Sequence, residues 1–440
     1  MTPSARLAAA LELLSEDEEG GRPADVIAAA YFRSRRYIGS KDRSAIAVAY
    51  YGTLRHRARL DWHLARHEVT PSPRTRLLAH QMLVDGRPPA NLDTLFNGDR
   101  YAPPPLSDDE RRFLKAIDGQ QLDDPAMPAA VRAECPDWAV APLETAFGDR
   151  FETELTALVD EASLDLRVNT MRADRDKIRD ELTGLGIASQ PTPWSPVGLR
   201  VEGRPPLGGL DAFKRGAIEV QDEGSQLLSL LVDAQPGFQV ADFCAGAGGK
   251  ALAMAAAMAG KGRIVACDVA TARLHKAKER IKRAGVDNIE PRHLANERDR
   301  WVTRQKGKFD RVLIDAPCAG IGAWRRNPDA RWRAVDLGAL TALQDRILAS
   351  AARLTKPGGR LIYATCSLLP AENEDRIARF LAATPDYTIV PVGTVWRAVL
   401  GSDCPVAGEF LHLSPASTGT DGFFAAVLER RMTDGDGDAG

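Results

Sequence analysis

The chain has few cysteines for its length and no long apolar run. Its 440 residues contain six cysteines, none of them in a Cys-x-x-Cys pair or a closely spaced His/Cys pair. This distribution argues against a disulfide framework and a structural zinc site, and nothing else in the sequence requires a metal. The apolar stretch at residues 7–14 is short and runs into the acidic residues 16–19, so we expect no signal peptide and no membrane span. The sequence predicts a soluble, cytoplasmic protein.

The length of the sequence and the changes in its apolar pattern predict several domains, because 440 residues exceed what one hydrophobic core usually supports. Residues 1–145 have helical periodicity and predict an all-α domain, residues 146–218 predict a small α/β connector domain, residues 219–432 a larger α/β domain, and the acidic residues 433–440 a disordered tail. The first domain has helical patterns at 24–31, 43–62 and 73–84, and the second has strands at 166–169, 198–201 and 217–220 with a helix at 174–185.

Strands and helices alternate regularly in the third segment. The alternation predicts a doubly wound α/β sheet. The predicted strands are 239–243, 263–267, 309–315, 359–364 and 422–428, and the predicted helices are 249–258, 272–284 and 337–354.

A glycine-rich loop at residues 242–250 closes the first of these strands and opens a helix. Its glycines permit a tight turn and close approach of the backbone to a ligand. Asp268 directly follows the next strand, 22 residues after Gly246, where a carboxylate can accept hydrogen bonds from ribose hydroxyls. An adenosine-containing cofactor is indicated, and these residues alone leave both NAD and S-adenosylmethionine open.

Two cysteines each follow a short apolar strand downstream of this loop. Cys318 and Cys366 are 48 residues apart, which leaves room for a strand, a crossover helix and the next parallel strand. Because ligands bind outside the carboxyl ends of parallel strands, we expect both thiols to converge on one crevice. The other four cysteines fit small buried apolar residues.

Paired thiols suit methylation at C5 of a pyrimidine. Addition of a thiolate to C6 makes C5 nucleophilic, and a base must then remove the C5 proton so that the thiolate can leave. Two partly exposed thiols can fill both roles if nearby positive charge lowers their pKa values. Asp315 is placed to hydrogen-bond the N4 amino group and N3 of cytosine, so the chemistry favours cytosine over uracil.

Several motifs together resemble the RsmB/NOP2/Sun family of RNA cytosine-5 methyltransferases. They are Pro317-Cys318, Thr365-Cys366-Ser367, and residues 325–329, 370–374 and 420–424. The resemblance implies a Rossmann-like class I methyltransferase domain that uses S-adenosylmethionine, preceded by a small RRM-like domain. It implies that Cys366 is the nucleophile and that Cys318 acts in proton removal or product release, with Lys250 and Asp315 near the reacting base. The implied cofactor contacts are Cys244, Ala245, Gly246, Gly248, Gly249, Lys250, Asp268, Arg273, Asn296 and Asp315.

A basic cluster precedes these motifs, with nine Lys or Arg residues between Arg33 and His67. On charge alone it fits a solvated helical face. Residues 40–43 and 51–55, however, resemble the NusB-like RNA-binding domain that precedes the catalytic region in bacterial members of the family. The resemblance therefore implies an RNA substrate, which we expect to be small-subunit rRNA, and a monomeric enzyme. The predicted RNA-binding residues are Arg35, Arg36, Arg43, Arg55, Arg57, Arg325 and Arg326.

The sequence departs from the family pattern at three places. Ala247 stands where many members have proline, Ile321 where threonine is usual, and Asn296 where an aspartate near the adenine is frequent. An asparagine carbonyl can accept the same hydrogen bond without the charge. Transfer RNA as substrate, a non-catalytic ribosome-assembly factor and a nicotinamide-dependent oxidoreductase remain as alternatives.

Overall fold

The computed structural model describes residues 1–432, so the predicted tail at 433–440 lies outside the described residues. The chain divides into two compact units. The first is Met1–Glu161 together with Trp324–Ala334, and the second is Ala162–Ala323 with the residues from Val335 onward. Among the described residues, no helix is long and apolar enough to cross a membrane.

The first unit is helical, as the periodicity predicts. Serine residues cap two of its helices, because Ser72 and Ser107 each form a capping box with the third residue of the helix that follows. The pattern at 43–62 predicts one helix, but the structure has two that meet at His56, whose ψ of 19° departs from helical geometry. The helices are α1 (Pro3–Glu18), α2 (Ala24–Ser34), α3 (Ser40–Arg55), α4 (Arg57–Arg66), α5 (Pro73–Leu83), α6 (Pro89–Leu95), α7 (Asp108–Ala116), α8 (Ala129–Arg132), α9 (Asp137–Phe147) and α10 (Phe151–Ala157).

A segment from far along the sequence completes this helical unit. Arg331 of Trp324–Ala334 is buried, and its guanidinium donates to the carbonyls of Ala133, Glu134 and Leu158 at 3.3, 2.9 and 2.8 Å. The Arg331 guanidinium also lies 4.9 Å from the ring centroid of buried Trp324. A buried charge needs partners, and those of Arg331 lie in the helical part of the unit, so the segment is an integral part of it.

The second unit begins with a small antiparallel sheet of order β2-β3-β1-β4. Its apolar side packs on α11, where Ile178 and Leu182 are buried with Leu166 and Leu199. The predicted strand at 198–201 has the same bounds in the structure. The elements are β1 (Leu164–Val168), α11 (Arg175–Gly184), β2 (Ser189–Pro191), β3 (Gly198–Val201), α12 (Asp211–Lys214) and β4 (Ile218–Val220).

A larger sheet follows, of order β10-β12-β9-β8-β5-β6-β7, with β11 paired to β12. The strands from β9 to β7 in this order are parallel, whereas β12 is antiparallel to β9 and β10 is antiparallel to β12. The predicted α/β sheet is thus confirmed as a mixed sheet. The elements are α13 (Glu223–Leu231), β5 (Gln239–Asp242), α14 (Gly249–Ala257), β6 (Arg263–Asp268), α15 (Thr271–Ala284), β7 (Ile289–His293), α16 (Arg300–Arg304), β8 (Phe309–Asp315), α17 (Leu337–Ala352), β9 (Thr355–Thr365), α18 (Glu374–Ala383), β10 (Tyr387–Val390), α19 (Val392–Leu400), β11 (Leu411–Leu413), α20 (Pro415–Thr418) and β12 (Phe423–Arg430).

Candidate active site

The two cysteines meet at the carboxyl ends of adjacent strands. Strands β8 and β9 are parallel, with Asp315 opposite Ala364, and Cys318 and Cys366 follow these positions in the chain. Their Sγ atoms are 3.4 Å apart, and both side chains are partly buried. The predicted convergence of the two thiols is therefore confirmed.

The condition that nearby positive charge lowers the pKa of the thiols is not met at Cys318. Its hydrogen bond with Cys366 raises the pKa of Cys318 well above its ordinary value, and burial and the nearby charge of Glu372 act in the same direction. A thiol with a raised pKa keeps its proton at neutral pH. Either sulfur can be the donor at this distance, and a Cys318 thiol that keeps its proton is able to donate its S–H toward Cys366.

The glycine-rich loop between β5 and α14 has the shape of a ligand-binding turn. Gly246 and Gly248 have φ values of +53° and +78°, which side chains with a Cβ rarely adopt. A Cβ added to Gly246 would meet no heavy atom within 4 Å, so the loop faces open space there. Asp268 accepts hydrogen bonds from the backbone N–H groups of Gly246 and Ala270 at 2.9 and 2.7 Å, and it thereby fixes the loop.

Two more carboxylates and a lysine surround this loop. Lys250 Nζ donates to Asp315 Oδ2 at 2.6 Å; burial opposes the charge, but Asp315 outweighs it and raises the pKa of Lys250. Asp242 is fully buried, and neither of its oxygens has a hydrogen-bond partner among the described residues. Burial raises the pKa of Asp242 to about 7. Buried carboxylates normally have partners, so this orphaned group beside the open loop fits a site for a polar or cationic cofactor.

The remaining predicted cofactor residues lie around the same strand ends. Arg273 is exposed in the first turn of α15, and Cys244 is partly buried against the apolar core. Asn296 is exposed, and its side-chain carbonyl accepts from the N–H of Arg298 at 2.8 Å. Because a carbonyl oxygen has two lone pairs, one position remains for the adenine contact. These three contacts stay predictions.

Sequence reasoning overlooked the residues that fix the loop after β9. Thr365 Oγ1 donates to Asn373 Oδ1 at 2.6 Å, and Asn373 Nδ2 donates to the carbonyl of Ser367 at 3.0 Å. The motif at 370–374 supplied the signal, since its polar residues lie only a few positions beyond Cys366. Asn373 therefore helps to orient the loop that carries Cys366.

Several arginines predicted to bind RNA have internal partners instead. Arg55 donates to the carbonyls of Val159, Asp160 and Arg325. Arg325 is itself buried, so neither guanidinium is displayed as a simple surface charge. Direct contacts of these two residues with RNA stay predictions.

The other five arginines predicted to bind RNA differ in how far they are exposed to solvent. Arg35 pairs with Glu12 at 3.1 Å, Arg43 donates to the carbonyl of Ile38 at 2.8 Å, and Arg326 is partly buried. Arg36 is exposed. Arg57 lines a cavity of about 420 Å³ in the helical unit, and its guanidinium lies 5.5 Å from the ring centroid of Trp332. Their contacts with RNA stay predictions.

Solved structures with this fold include methyltransferase-related proteins. PH0851 superimposes with a TM-score of 0.78 at 26% sequence identity, covering 98% of this chain and 99% of that one. A methyltransferase homolog protein from Pyrococcus horikoshii gives a TM-score of 0.60 at 27% identity, covering 70% of this chain and 100% of that one. Together with the glycine-rich loop and the two cysteines, this similarity defines the class as an α/β methyltransferase.

Family comparisons give the narrower assignment. Residues 229–429 match the family 16S rRNA methyltransferase RsmB/F, and residues 135–207 match the RsmF/B-like methyltransferase ferredoxin-like domain. Ribosomal RNA small subunit methyltransferase B of Salmonella paratyphi B is 29% identical over 408 residues, which cover 90% of this chain and 92% of that protein. The catalytic region of the chain, residues 229–429, therefore belongs to the RsmB/F family of rRNA methyltransferases. Its cofactor is S-adenosylmethionine, which excludes the nicotinamide alternative.

Substitution of Gly246 tests the cofactor loop. A Cβ in the left-handed region costs about 1–2 kcal/mol and would project into the open side of the loop, so Gly246→Ala is expected to weaken S-adenosylmethionine binding about tenfold. Gly307→Ala is a matched control, because Gly307 also has a positive φ of +66° and open space at the Cβ position. Equilibrium dialysis with labelled cofactor measures both; equal affinities in the two variants would contradict the assignment of the loop.

Proposed function

We propose that the protein methylates C5 of a cytidine in small-subunit rRNA, with Cys366 as the nucleophile. The observation that carries the proposal is the 3.4 Å separation of Cys318 Sγ and Cys366 Sγ at the ends of adjacent parallel strands. Lys250 and Asp315 form an ion pair beside the cofactor loop. One nucleophile, one proton acceptor and one group that reads the base are what this reaction requires.

The covalent steps follow from these positions. The Cys366 thiolate adds to C6, so that a C6–S bond forms and the electrons of the C5–C6 double bond make C5 nucleophilic. When bound, S-adenosylmethionine would supply an electrophilic methyl group: the C5–methyl bond forms as the methyl–sulfonium bond breaks, and S-adenosylhomocysteine leaves. Cys318, once its own thiol proton has passed to solvent, accepts the C5 proton. The C5–C6 double bond then re-forms, and the C6–S bond breaks with its electron pair returning to Cys366.

The base and the cofactor have separate sets of residues in this proposal. Asp315 accepts a hydrogen bond from the cytosine N4 amino group, and Lys250 orients the Asp315 carboxylate by donating to its Oδ2. The loop from Cys244 to Gly249 and the carboxylate of Asp268 hold the adenosyl part of the cofactor. A thymine or uracil ring has a carbonyl in place of the amino group, so the same carboxylate would repel it.

Incubation with labelled S-adenosylmethionine tests the reaction and the substrate together. Separate pools of small-subunit rRNA, large-subunit rRNA and tRNA are incubated with the protein, digested to nucleosides and resolved. We expect labelled 5-methylcytidine in the small-subunit pool. Label confined to tRNA would replace the proposed substrate, and a labelled nucleoside other than 5-methylcytidine would reject the chemistry.

We propose that the exposed part of the basic cluster binds the RNA backbone. Three cations of the cluster are exposed: Arg33, Arg36 and Lys41. Arg59 of the same cluster is instead buried and forms an ion pair with buried Glu134. Changing the three exposed residues to Glu should weaken rRNA binding and reduce the slope of log K against log salt by about 2–3, since each lost phosphate contact removes about 0.7–0.9.

The matched control for this triple variant reverses three exposed cations elsewhere in the helical unit. Arg100, Arg112 and Lys115 are exposed and lie outside the basic cluster, and their change to Glu alters the net charge equally. Filter binding over a range of salt concentrations compares the two triple variants. Equal slopes would restore the interpretation of the cluster as a solvated face.

We also retain the domain division as a proposal: an all-α NusB-like domain at 1–145, an RRM-like connector at 146–218 and the methyltransferase domain at 219–432. The antiparallel four-stranded sheet β2-β3-β1-β4 supports the connector. The helical unit extends past residue 145 to Glu161. That the protein acts in the cytoplasm and as a monomer stays a prediction. Sedimentation of the purified chain tests whether it is monomeric.

A further inference from the structure

The side chain of Glu372 is fully buried between the loops that carry the two cysteines. Its Oε1 accepts a hydrogen bond from the backbone N–H of Ala319 at 2.9 Å and another from Gln344 Nε2 at 2.9 Å. Its Oε2 accepts from Ser367 Oγ. A buried carboxylate with three donors is fully engaged, and none of these donors is another charged group.

These partners adjoin the two sulfur atoms. Ala319 directly follows Cys318, and Ser367 directly follows Cys366. Gln344 of α17 also donates to the carbonyl of Pro317, the residue before Cys318, at 2.9 Å. One carboxylate therefore links the backbone on both sides of Cys318 to the loop of Cys366.

We propose that Glu372 is a positioning residue that holds the two thiols in register and keeps Cys318 protonated as a hydrogen-bond donor to Cys366 until the base has been attacked. This role rests on the proposed function. The same arrangement gives two chemically identical side chains different roles, because the Glu372 carboxylate lies near Cys318. Cys366, in contrast, has Lys250 as a charged neighbour.

The surrounding charges support this division. The groups that face Cys318 are Cys366, Glu372 and the phenol of Tyr363, whose hydroxyl donates to the Glu372 carbonyl at 2.7 Å. Behind them, Arg376 and Asp345 neutralise each other in an ion pair. The hydrogen bond to Cys366 comes first among the causes that raise the pKa of Cys318, followed by burial, the charge of Cys366 and that of Glu372. Removing the charge of Glu372 should therefore lower the pKa of Cys318.

Glu372→Gln separates charge from shape. Its amide oxygen can still accept from Ala319 and Gln344, and its amide nitrogen takes the place beside Ser367. Glu374→Gln is the matched control, since Glu374 lies two residues further along and pairs with His412 at 3.3 Å. Glu372→Ala removes all three acceptors, and a thermal melt checks the folding of each variant.

Two measurements on small-subunit rRNA test the role. The first is the rate of adduct formation with transcripts that carry 5-fluorocytidine, which cannot lose a proton from C5 and so reports Cys366 alone. The second is the decay of the adduct on ordinary rRNA, followed by quenching onto denaturing gels between pH 6 and pH 9. In the wild type the decay rate should rise with pH as Cys318 becomes a thiolate.

For Glu372→Gln we expect adduct formation within about threefold of the wild type and a rise in decay that begins about one pH unit lower. Glu372→Ala should form the adduct at least about tenfold more slowly, and glutamine at this position should rescue that loss. A Glu372→Gln profile that coincides with those of Glu374→Gln and the wild type would overturn the role of Glu372. Absence of any adduct with the wild type would instead overturn the proposed function, and the role of Glu372 with it.

Discussion

Cys366→Ala is expected to abolish methyl transfer, by at least about 10³-fold, while S-adenosylmethionine still binds. The loss is large because C5 of an intact cytosine ring is a poor nucleophile until a thiolate has added to C6. The backbone carbonyl at position 366 would still accept from the N–H of Gly322, a bond of 2.9 Å in the structure. The cofactor loop follows a different strand, β5, so it should be unaffected.

Three measurements define this experiment: turnover with labelled cofactor, cofactor affinity by equilibrium dialysis, and the thermal midpoint. Cys404→Ala is the matched control, because Cys404 is also free and partly buried in the same unit and no step assigns it a role. The control should retain wild-type turnover. Turnover by Cys366→Ala within a few fold of the wild type would remove Cys366 from the mechanism.

Cys318→Ala is expected to trap the RNA on the enzyme. Without a proton acceptor the methylated base cannot restore its C5–C6 double bond, so the C6–S bond to Cys366 persists. Loss of a general base typically reduces a rate by about 10²–10⁴-fold, and each enzyme should transfer about one methyl group before it stops. A denaturing gel should then show a slowly migrating band that ribonuclease collapses.

The double variant Cys318→Ala/Cys366→Ala distinguishes a true adduct from aggregation, because it should give no slow band. Peptide mapping of the trapped species should place the modification on Cys366. A Cys318→Ala protein that turns over at the wild-type rate, or an RNA adduct mapped to another residue, would count against the assigned division of roles between the two thiols.

The sequence predicted the central strands well because burial on both faces gives them short apolar runs, such as residues 312–314 of β8. Strand β8 has the predicted bounds, Phe309–Asp315, and the convergence of Cys318 and Cys366 followed from the topology of parallel strands. Strand β7 was not predicted: it contains a proline and an exposed histidine, and a strand at the edge of a sheet needs no continuous apolar pattern. No local sequence pattern predicts that β12 runs antiparallel to its neighbours.

The positions of the charged residues in the sequence were harder to interpret than the pattern of apolar residues. Nine cations between Arg33 and His67 look alike in sequence, yet Arg59 is buried against Glu134 and Arg55 bonds to three carbonyls. Their partners are distant in the chain, so no local rule reveals them. The raised pKa of Cys318 has the same origin, since it depends on Cys366 and on Glu372, both about 50 residues away.

The helical unit also has an unusual order of assembly. Arg331 reaches the carbonyl of Ala133, 198 residues earlier in the chain. During synthesis, the first 161 residues emerge long before Trp324–Ala334, so for that interval the carbonyls of Ala133, Glu134 and Leu158 lack the guanidinium that later binds them. Contacts of such sequence separation form late and slow folding. A nascent chain that stalls before residue 334 would therefore hold the helices without the segment that completes them.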